Sequence, residues 1–434
     1  MQVGVVPVLS GHSGSIYQYS LNLLTALYQM ETEDRFILFT EDRGALGFLG
    51  DERPGWQVRP LEPFSARRML WKFLRKLAGR GPVQKIWDVR PPVRTLQEFE
   101  EEEEEVFDPD VVDYHPERGR WFARAGADIM LYPAPSILSF ESGMPFLVAL
   151  HDLKFRLYSE YPQWLRPDTA DMYEYMIRNA ARYAALILVD SEAAKADVLE
   201  HCGPFGVAGD SVIVLPLAPA VYLDVEAAED EVQTVLGKYG LVEPYLFFPA
   251  AFLPHKNHDR LVEAVDLLRN EYKLPVHVVF CGSSSGDVRG ERSRQIVDLV
   301  HDRDLEDRVR FLGHVPDEDM SALYSGARIV ADLTLHGTAS FVVQEAWAFG
   351  KPVVASGIRG FREYVGDAGK VVNPLSVEDI AEGIRKLWTE PATRAALAEQ
   401  GLKRHQSFTI ADFSRKLADI LREARARMES REES

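Results

Sequence analysis

Ionisable side chains follow two of the predicted buried strands, at the position where parallel α/β sheets bind their ligands. His151 and Asp152 come directly after "FLVAL", and Lys256 follows "YLFF" within "AAFLPHKNHDRL". A cation near the start of a helix is unfavourable unless an anion is bound there, so Lys256 indicates an anionic ligand, the alternative being an ordinary surface lysine near a helix start. The His–Asp pair can contact a substrate, although such a pair can also lock a local turn.

A third stretch, "HGTASFVVQEAWAFGKPVVAS" over residues 336–356, reads as a loop, a short helix, a turn and a buried strand. The helix is predicted to begin near Ser340, so that the backbone N–H groups of Ser340, Phe341 and Val342 form a cradle for phosphate. Glu345 lies about one turn inside this helix. Its carboxylate either binds the same ligand or faces solvent.

The elements that position these residues alternate between short β-branched runs and amphipathic helical stretches, as in parallel βαβ units. We therefore predict an α/β protein with two Rossmann-like domains whose parallel sheets face each other across a cleft. The loop "GHSGS" after the first strand contains Gly14, which lets a ligand approach the backbone or marks an ordinary turn. The predicted ranges are a first domain over 1–235, a second over 236–408, and a C-terminal helix over 409–434 that can pack back on the first domain.

The bulk composition excludes several classes of protein. A net charge of -18 over 434 residues argues against a nucleic-acid-binding protein. Cys202 and Cys281 are the only cysteines, so neither a disulfide framework nor a zinc site is indicated. No apolar run approaches the roughly 20 residues of a membrane span, so the protein is expected to be cytoplasmic and any membrane contact to be peripheral.

An insertion over about 65–120 interrupts the first domain. The segment 65–80, "SARRMLWKFLRKLAGR", is predicted to form a basic amphipathic helix that either binds the anionic inner face of the cell membrane or covers the sheet. The acidic run "EFEEEEEEVFDPD" that follows is predicted to be a solvated, mobile insertion. Five of the six cations of segment 65–80 belong to the predicted polar side of this helix, namely Arg67, Arg68, Lys72, Arg75 and Lys76.

Several motifs in a specific order resemble glycosyltransferase family 4, the glycosyl transferases group 1. The resemblance covers nearly all of the second half, is looser in the first half and leaves out 65–120. It implies the two-domain GT-B fold and retaining transfer of a hexose or deoxyhexose from a nucleotide-sugar to a glycan or glycolipid acceptor. The motifs that carry it are "ALHDLKF", "LVDSEAAKADVL", "PAAFLPHKNHDRLVEAV", "VRFLGHVPDEDMSALYSGARIVADLT" and "SFVVQEAWAFGKPVVASGIRGFREYVGDAGKVVNP".

The resemblance also implies roles for individual residues of the donor site. Lys256 matches the family's phosphate-binding lysine, and Glu345 matches the second of its paired glutamates, which binds the ribose hydroxyls. The family often adds an arginine shortly before the lysine, which "PAAFLPH" lacks, and His255 and His258 are either partial substitutes or structural residues. The base is expected against the segment after "VRFL", formed by Gly313, His314 and Val315.

On the first-domain side, the resemblance places His151 and Asp152 beside the transferred sugar. No DxD-like motif follows a relevant strand, so we expect no metal requirement and no cofactor besides the nucleotide-sugar substrate. Gly337 stands eight positions before Glu345, where the family usually has its first glutamate. This glycine leaves two alternatives open, a changed donor sugar held by His336 or Thr338, or a degenerate GT-B protein that binds nucleotide-sugars as a scaffold. A sugar-nucleotide epimerase or a phosphorylase of the same fold is a further alternative.

Overall fold

The computed structural model describes residues 1–9, 14–41, 54–61, 109–157, 167–221, 223, 228–241 and 244–432. Segment 65–80 and the acidic run up to residue 108 lie outside the described residues. The described strands form two sheets, and every strand pair in both sheets is parallel. This arrangement confirms the predicted α/β fold with two Rossmann-like sheets.

The first sheet has seven strands in the order β3-β2-β1-β4-β5-β6-β7. Six of them coincide with apolar runs of the sequence, because strands covered by helices on both faces are apolar throughout. The exception is β3, an edge strand whose last four residues are exposed and which therefore lacks an apolar run. The strands are β1 (Gln2–Val5), β2 (Arg35–Thr40), β3 (Trp56–Pro60), β4 (Ile129–Tyr132), β5 (Phe146–Ala149), β6 (Leu186–Val189) and β7 (Val212–Val214).

Helices cover both faces of this sheet. One apolar layer joins Leu23 and Leu24 to Leu131, and the other joins Phe122 to Val148. The helices are α1 (Ser15–Gln29), α2 (Pro116–Ala125), α3 (Ile137–Glu141), α4 (Lys154–Leu157), α5 (Pro167–Tyr183) and α6 (Glu192–Cys202).

The second sheet has six strands in the order β10-β9-β8-β11-β12-β13. All six coincide with predicted strands. The strand order reverses direction between β8 and β11, and in doubly wound sheets the ligand crevice opens at such a switch point. The strands are β8 (Tyr245–Pro249), β9 (Val278–Cys281), β10 (Val309–Phe311), β11 (Ala327–Asp332), β12 (Val353–Ser356) and β13 (Lys370–Val372).

The second sheet is likewise packed between helices, and the chain continues into a long final helix. Among the residues described, no helix combines the length and apolar character that crossing a bilayer requires. The helices are α7 (Glu229–Lys238), α8 (His258–Asn270), α9 (Asp287–Asp302), α10 (Asp317–Gly326), α11 (Phe341–Ala348), α12 (Arg359–Val365), α13 (Val377–Thr389), α14 (Pro391–Gln406) and α15 (Ile410–Glu432).

Helix α7 changes the division between the domains. The domain boundary that the sequence predicts at residue 235 falls inside this helix. Val232 and Leu236 are buried in the same apolar cluster as Tyr245 and Leu323 of the second half. The boundary therefore lies before Glu229, because the two apolar residues of α7 join the second core.

Helix α15 returns to the first domain. Phe413 and Leu421 are fully buried in the apolar cluster that contains Leu24 of α1. The Ser414 hydroxyl donates to the Ala26 carbonyl at 2.8 Å. The first core is thus built from both ends of the described chain.

Candidate active site

The turn that carries Lys256 lies at the switch point of the second sheet. It follows β8, and Asn257 ends it with a left-handed backbone (φ 67°). The buried Asn257 amide donates to Leu333 O at 3.2 Å, which holds the turn against the loop after β11. Lys256 is half-buried, and within the described part of the chain no carboxylate pairs with its ammonium. Because no described carboxylate neutralises the ammonium of Lys256, this side chain can bind an anionic ligand in the crevice.

The two histidines beside Lys256 have different surroundings. His258 is fully buried, its ring stacks on Phe252 at 4.6 Å, and burial lowers its pKa to about 3. A neutral imidazole packed among aromatic rings does not replace the missing arginine, so His258 is structural. The His255 ring stacks on His336 with 4.0 Å between the ring centroids, which joins this turn to the loop after β11.

The start of α11 is organised by a buried carboxylate. The Ser340 hydroxyl donates to Asp332 Oδ2 at 2.5 Å and accepts from Val343 N at 3.3 Å, so Ser340 is the predicted N-cap. The first N–H groups of the helix, those of Phe341 and Val342, have no intrahelical acceptor. They lie at the carboxyl end of β11, on the crevice side of the sheet, as a phosphate cradle requires.

Glu345 does not face solvent. Its side chain is only 5% exposed, and its carboxylate accepts a hydrogen bond from the Tyr324 hydroxyl. This removes the solvent-facing alternative. Ribose binding by Glu345 stays a prediction.

The segment predicted to receive the base lies at the adjacent loop end. Gly313 has a left-handed backbone (φ 69°), and its carbonyl accepts from Gly282 N at 2.8 Å. His314 is exposed, whereas Val315 is buried in the core. Any base contact from this segment therefore uses its backbone or His314, and the Val315 side chain is not available.

On the first-domain side, His151 follows β5 and its ring is fixed in place. Nε2 donates to Pro133 O at 2.8 Å, and the Tyr19 ring packs edge-on at 4.4 Å between centroids. Asp152 lines a cavity of about 130 Å³ whose lining also includes Thr338. Gly14 opens α1 with an exposed left-handed backbone (φ 98°).

The loop after β11 contacts the first domain directly. Thr338 Oγ1 lies 3.1 Å from His151 O and 2.9 Å from Asp190 Oδ2. Asp190 follows β6 and was missed in the sequence, although it stands at a strand end like His151. Burial raises the pKa of Asp190 above its usual range. The structure thus joins three residues that are far apart in the sequence.

Gly337 has a conformational role. Its φ is 126°, a left-handed region that side-chain-bearing residues rarely adopt, although a Cβ would meet only Phe361, at 3.6 Å. Restoring a glutamate here alone would strain the chain.

Comparison with known proteins agrees with this geometry. Residues 238–404 match the family model described as glycosyl transferases group 1. The O-antigen chain mannosyltransferase B of Escherichia coli is 27% identical over 68% of this chain and 74% of its own length. A D-inositol 3-phosphate glycosyltransferase of Corynebacterium aurimucosum is 26% identical over 56% of this chain, and the match spans 57% of that relative.

Solved structures of low sequence identity share the whole fold. Anabaena Alr3699/HepE in complex with UDP and glucose has a TM-score of 0.66 at 17% identity, covering 97% of this chain and 99% of that one. WaaG, a glycosyltransferase involved in lipopolysaccharide biosynthesis, has a TM-score of 0.62 at 15% identity, with coverage of 97% and 99%. Residues 238–404 therefore match a glycosyl transferases group 1 domain, and the chain has the two-domain GT-B fold.

Proposed function

We propose that this protein is a retaining glycosyltransferase that moves a hexose or deoxyhexose from a nucleotide-sugar to a glycan or lipid-linked acceptor. One observation carries the proposal. The loop that leads into the phosphate cradle of α11 contacts the strand end bearing His151 through Thr338. The anion-binding features of the second domain and the His151–Asp152 pair of the first therefore border one cleft.

The donor diphosphate is assigned to Lys256 and the start of α11. Negative charge grows on the leaving phosphate as the glycosidic bond breaks, so a cation and oriented N–H groups stabilise the transition state there. Glu345 is assigned to the ribose and the segment 313–315 to the base. Because Lys256 and the helix start supply the positive charge, we propose that no metal ion and no cofactor are needed.

The acceptor is assigned to the first-domain side of the cleft. The acceptor hydroxyl attacks the anomeric carbon on the face that the nucleotide leaves, and its proton passes to the leaving phosphate, so that the configuration is retained. In this scheme His151 and Asp152 position the sugar and acceptor, and positioning supplies much of the rate.

The named relatives support the substrate class. One relative is a mannosyltransferase for an O-antigen chain, another acts on inositol 3-phosphate, and a structure of the same fold holds UDP and glucose. A hexose donor and an acceptor from polysaccharide or glycolipid biosynthesis fit this set. We further propose a cytoplasmic protein that meets anionic membranes through segment 65–80.

A second candidate function is a catalytically degenerate protein that binds nucleotide-sugars as a scaffold, and Gly337 favours it. Incubation with a panel of nucleotide-sugars, with release of free nucleotide as the readout, separates the candidates. A transferase hydrolyses its donor slowly even without acceptor, whereas a scaffold releases nothing. An epimerase changes the sugar without releasing nucleotide. Absence of nucleotide release from every donor that binds would overturn the transferase proposal.

A further inference from the structure

We propose that Asp190 is a protonated carboxyl that joins the two domains through Thr338 and thereby positions the His151 strand end against the donor loop. The Thr338 hydroxyl has two oxygen neighbours but only one hydrogen to share between them. Thr338 Oγ1 is within hydrogen-bond distance of both His151 O, at 3.1 Å, and Asp190 Oδ2, at 2.9 Å. A hydroxyl has one hydrogen to donate. A carbonyl and an ionised carboxylate can only accept, so both would compete for it.

A proton on Asp190 removes this conflict. Asp190 Oδ2 then donates to Thr338 Oγ1, and Thr338 donates its own hydrogen to His151 O. The other oxygen, Oδ1, accepts from the Ser191 hydroxyl at 3.0 Å, and that hydroxyl in turn accepts from Ala194 N at 3.1 Å. Since Oδ1 is already an acceptor, the proton belongs on Oδ2.

The surroundings of Asp190 favour its neutral form. Its side chain is 9% exposed, and burial is the main cause of its raised pKa. Among the charged groups that face it, His151 favours ionisation when protonated and Asp152 opposes it. Tyr19 of α1 and Tyr364 of α12 also face it, and burial raises the pKa of both phenols, so they stay neutral.

The direction of the pH effect follows from these contacts. At a pH below the raised pKa of Asp190, both hydrogen bonds form, from Asp190 to Thr338 and from Thr338 to the His151 carbonyl. As the pH rises through that pKa, the carboxylate and the carbonyl compete for one hydrogen, and the contact between the domains weakens. Asp190 is thus a positioning residue, and its effect on turnover rests on the proposed function.

The test compares the pH dependence of nucleotide release in four variants. Asp190→Asn should keep turnover and lose the decline of the wild type at high pH, because an amide donates to Thr338, accepts from Ser191 and does not titrate. Asp190→Ala and Thr338→Val should lower turnover by about tenfold below the raised pKa of Asp190, where the wild-type contact is complete. Thr338→Ser, which keeps the hydroxyl, should retain most of the wild-type turnover. Nucleotide affinity should change little in the two Asp190 variants, because Asp190 lies in the first domain whereas Lys256 and Glu345 lie in the second.

Two results would overturn the inference. One is an Asp190→Asn variant as slow as Asp190→Ala, and the other is an Asn variant that keeps the wild-type decline at high pH.

A second readout does not depend on turnover. Ala193 N donates to Glu363 of the second domain at 3.0 Å across the same interface. Hydrogen exchange of this amide, corrected for its intrinsic rate, should accelerate with pH in the wild type and not in Asp190→Asn. If exchange of the Ala193 amide accelerates with pH in the wild type and not in Asp190→Asn, while no donor turns over, the proposed function fails and the inference stands. If donor turns over but exchange and turnover ignore Asp190, the inference alone fails.

Discussion

Replacing Lys256 by alanine removes the one side-chain cation that we assign to the donor diphosphate. The ammonium is half-buried at the switch point, and no described carboxylate depends on it. The folded state therefore loses no ion pair, and the free energy of unfolding should stay close to that of the wild type. The effect is expected in ligand binding.

The size of the effect follows from a charge-assisted contact. Such a contact contributes about 1.5–3 kcal/mol, so the dissociation constant for a nucleoside diphosphate should rise roughly 10–150-fold. Lys256→Met, which keeps an apolar stem of similar length, should give a similar loss. This separates the charge from the packing of the methylene groups.

Isothermal calorimetry with a panel of nucleoside diphosphates measures this change directly. Lys403→Ala is the matched control, since it removes the same charge from an exposed lysine of α14 that pairs with Glu399. Added salt should weaken nucleotide binding by the wild type more than nucleotide binding by Lys256→Ala, because salt screens the charge of Lys256. Unchanged affinity for every nucleotide that the wild type binds would refute the assignment of Lys256 to the site.

Three further predictions concern the ribose contact, the loop backbone and the membrane. Glu345→Gln should weaken binding of nucleosides as well as nucleoside diphosphates in calorimetry, because it acts at the ribose; an effect confined to diphosphates would contradict this. Gly337→Ala should lower the free energy of unfolding by about 1–3 kcal/mol in chemical denaturation, since φ is 126° there. The control Gly237→Ala in α7, where a Cβ would meet open space, should raise it by about 0.5–1 kcal/mol. Equal effects of the two substitutions would refute the strain argument. Glutamine at Arg67, Arg68, Lys72, Arg75 and Lys76 of segment 65–80 should reduce sedimentation with anionic liposomes, at about 1 kcal/mol per cation. A wild type that never binds vesicles would refute the membrane prediction for this segment.

Much of the fold is predictable because buried parallel strands are continuous apolar runs. Both caps, Ser191 and Ser340, follow from local sequence, since a side-chain oxygen only has to reach an N–H group two or three residues ahead. The edge strand β3 escaped detection because its exposed residues carry no apolar signal. Helix α7 was missed because only Val232 and Leu236 among its residues are buried.

The site is less predictable than the fold, because its decisive contacts are long-range. Lys256 and Glu345 could be found from motifs, but the pairing of Thr338 with Asp190 joins positions 148 residues apart. Nothing local distinguishes the buried His258 from a ligand-binding histidine, since its aromatic surroundings come from three different elements. Likewise, the left-handed backbone of Gly337 is a property of the folded loop.

The return of α15 to the first domain has a consequence for synthesis on the ribosome. Helix α1 emerges early, yet the side chains that cover it, such as Phe413 and Leu421, are made hundreds of residues later. At roughly 5–20 residues per second, the apolar face of α1 waits tens of seconds for its partner. During that interval the apolar face of α1 lacks the side chains of α15 that bury it in the folded protein. The first core can therefore be completed only after α15 has left the exit tunnel.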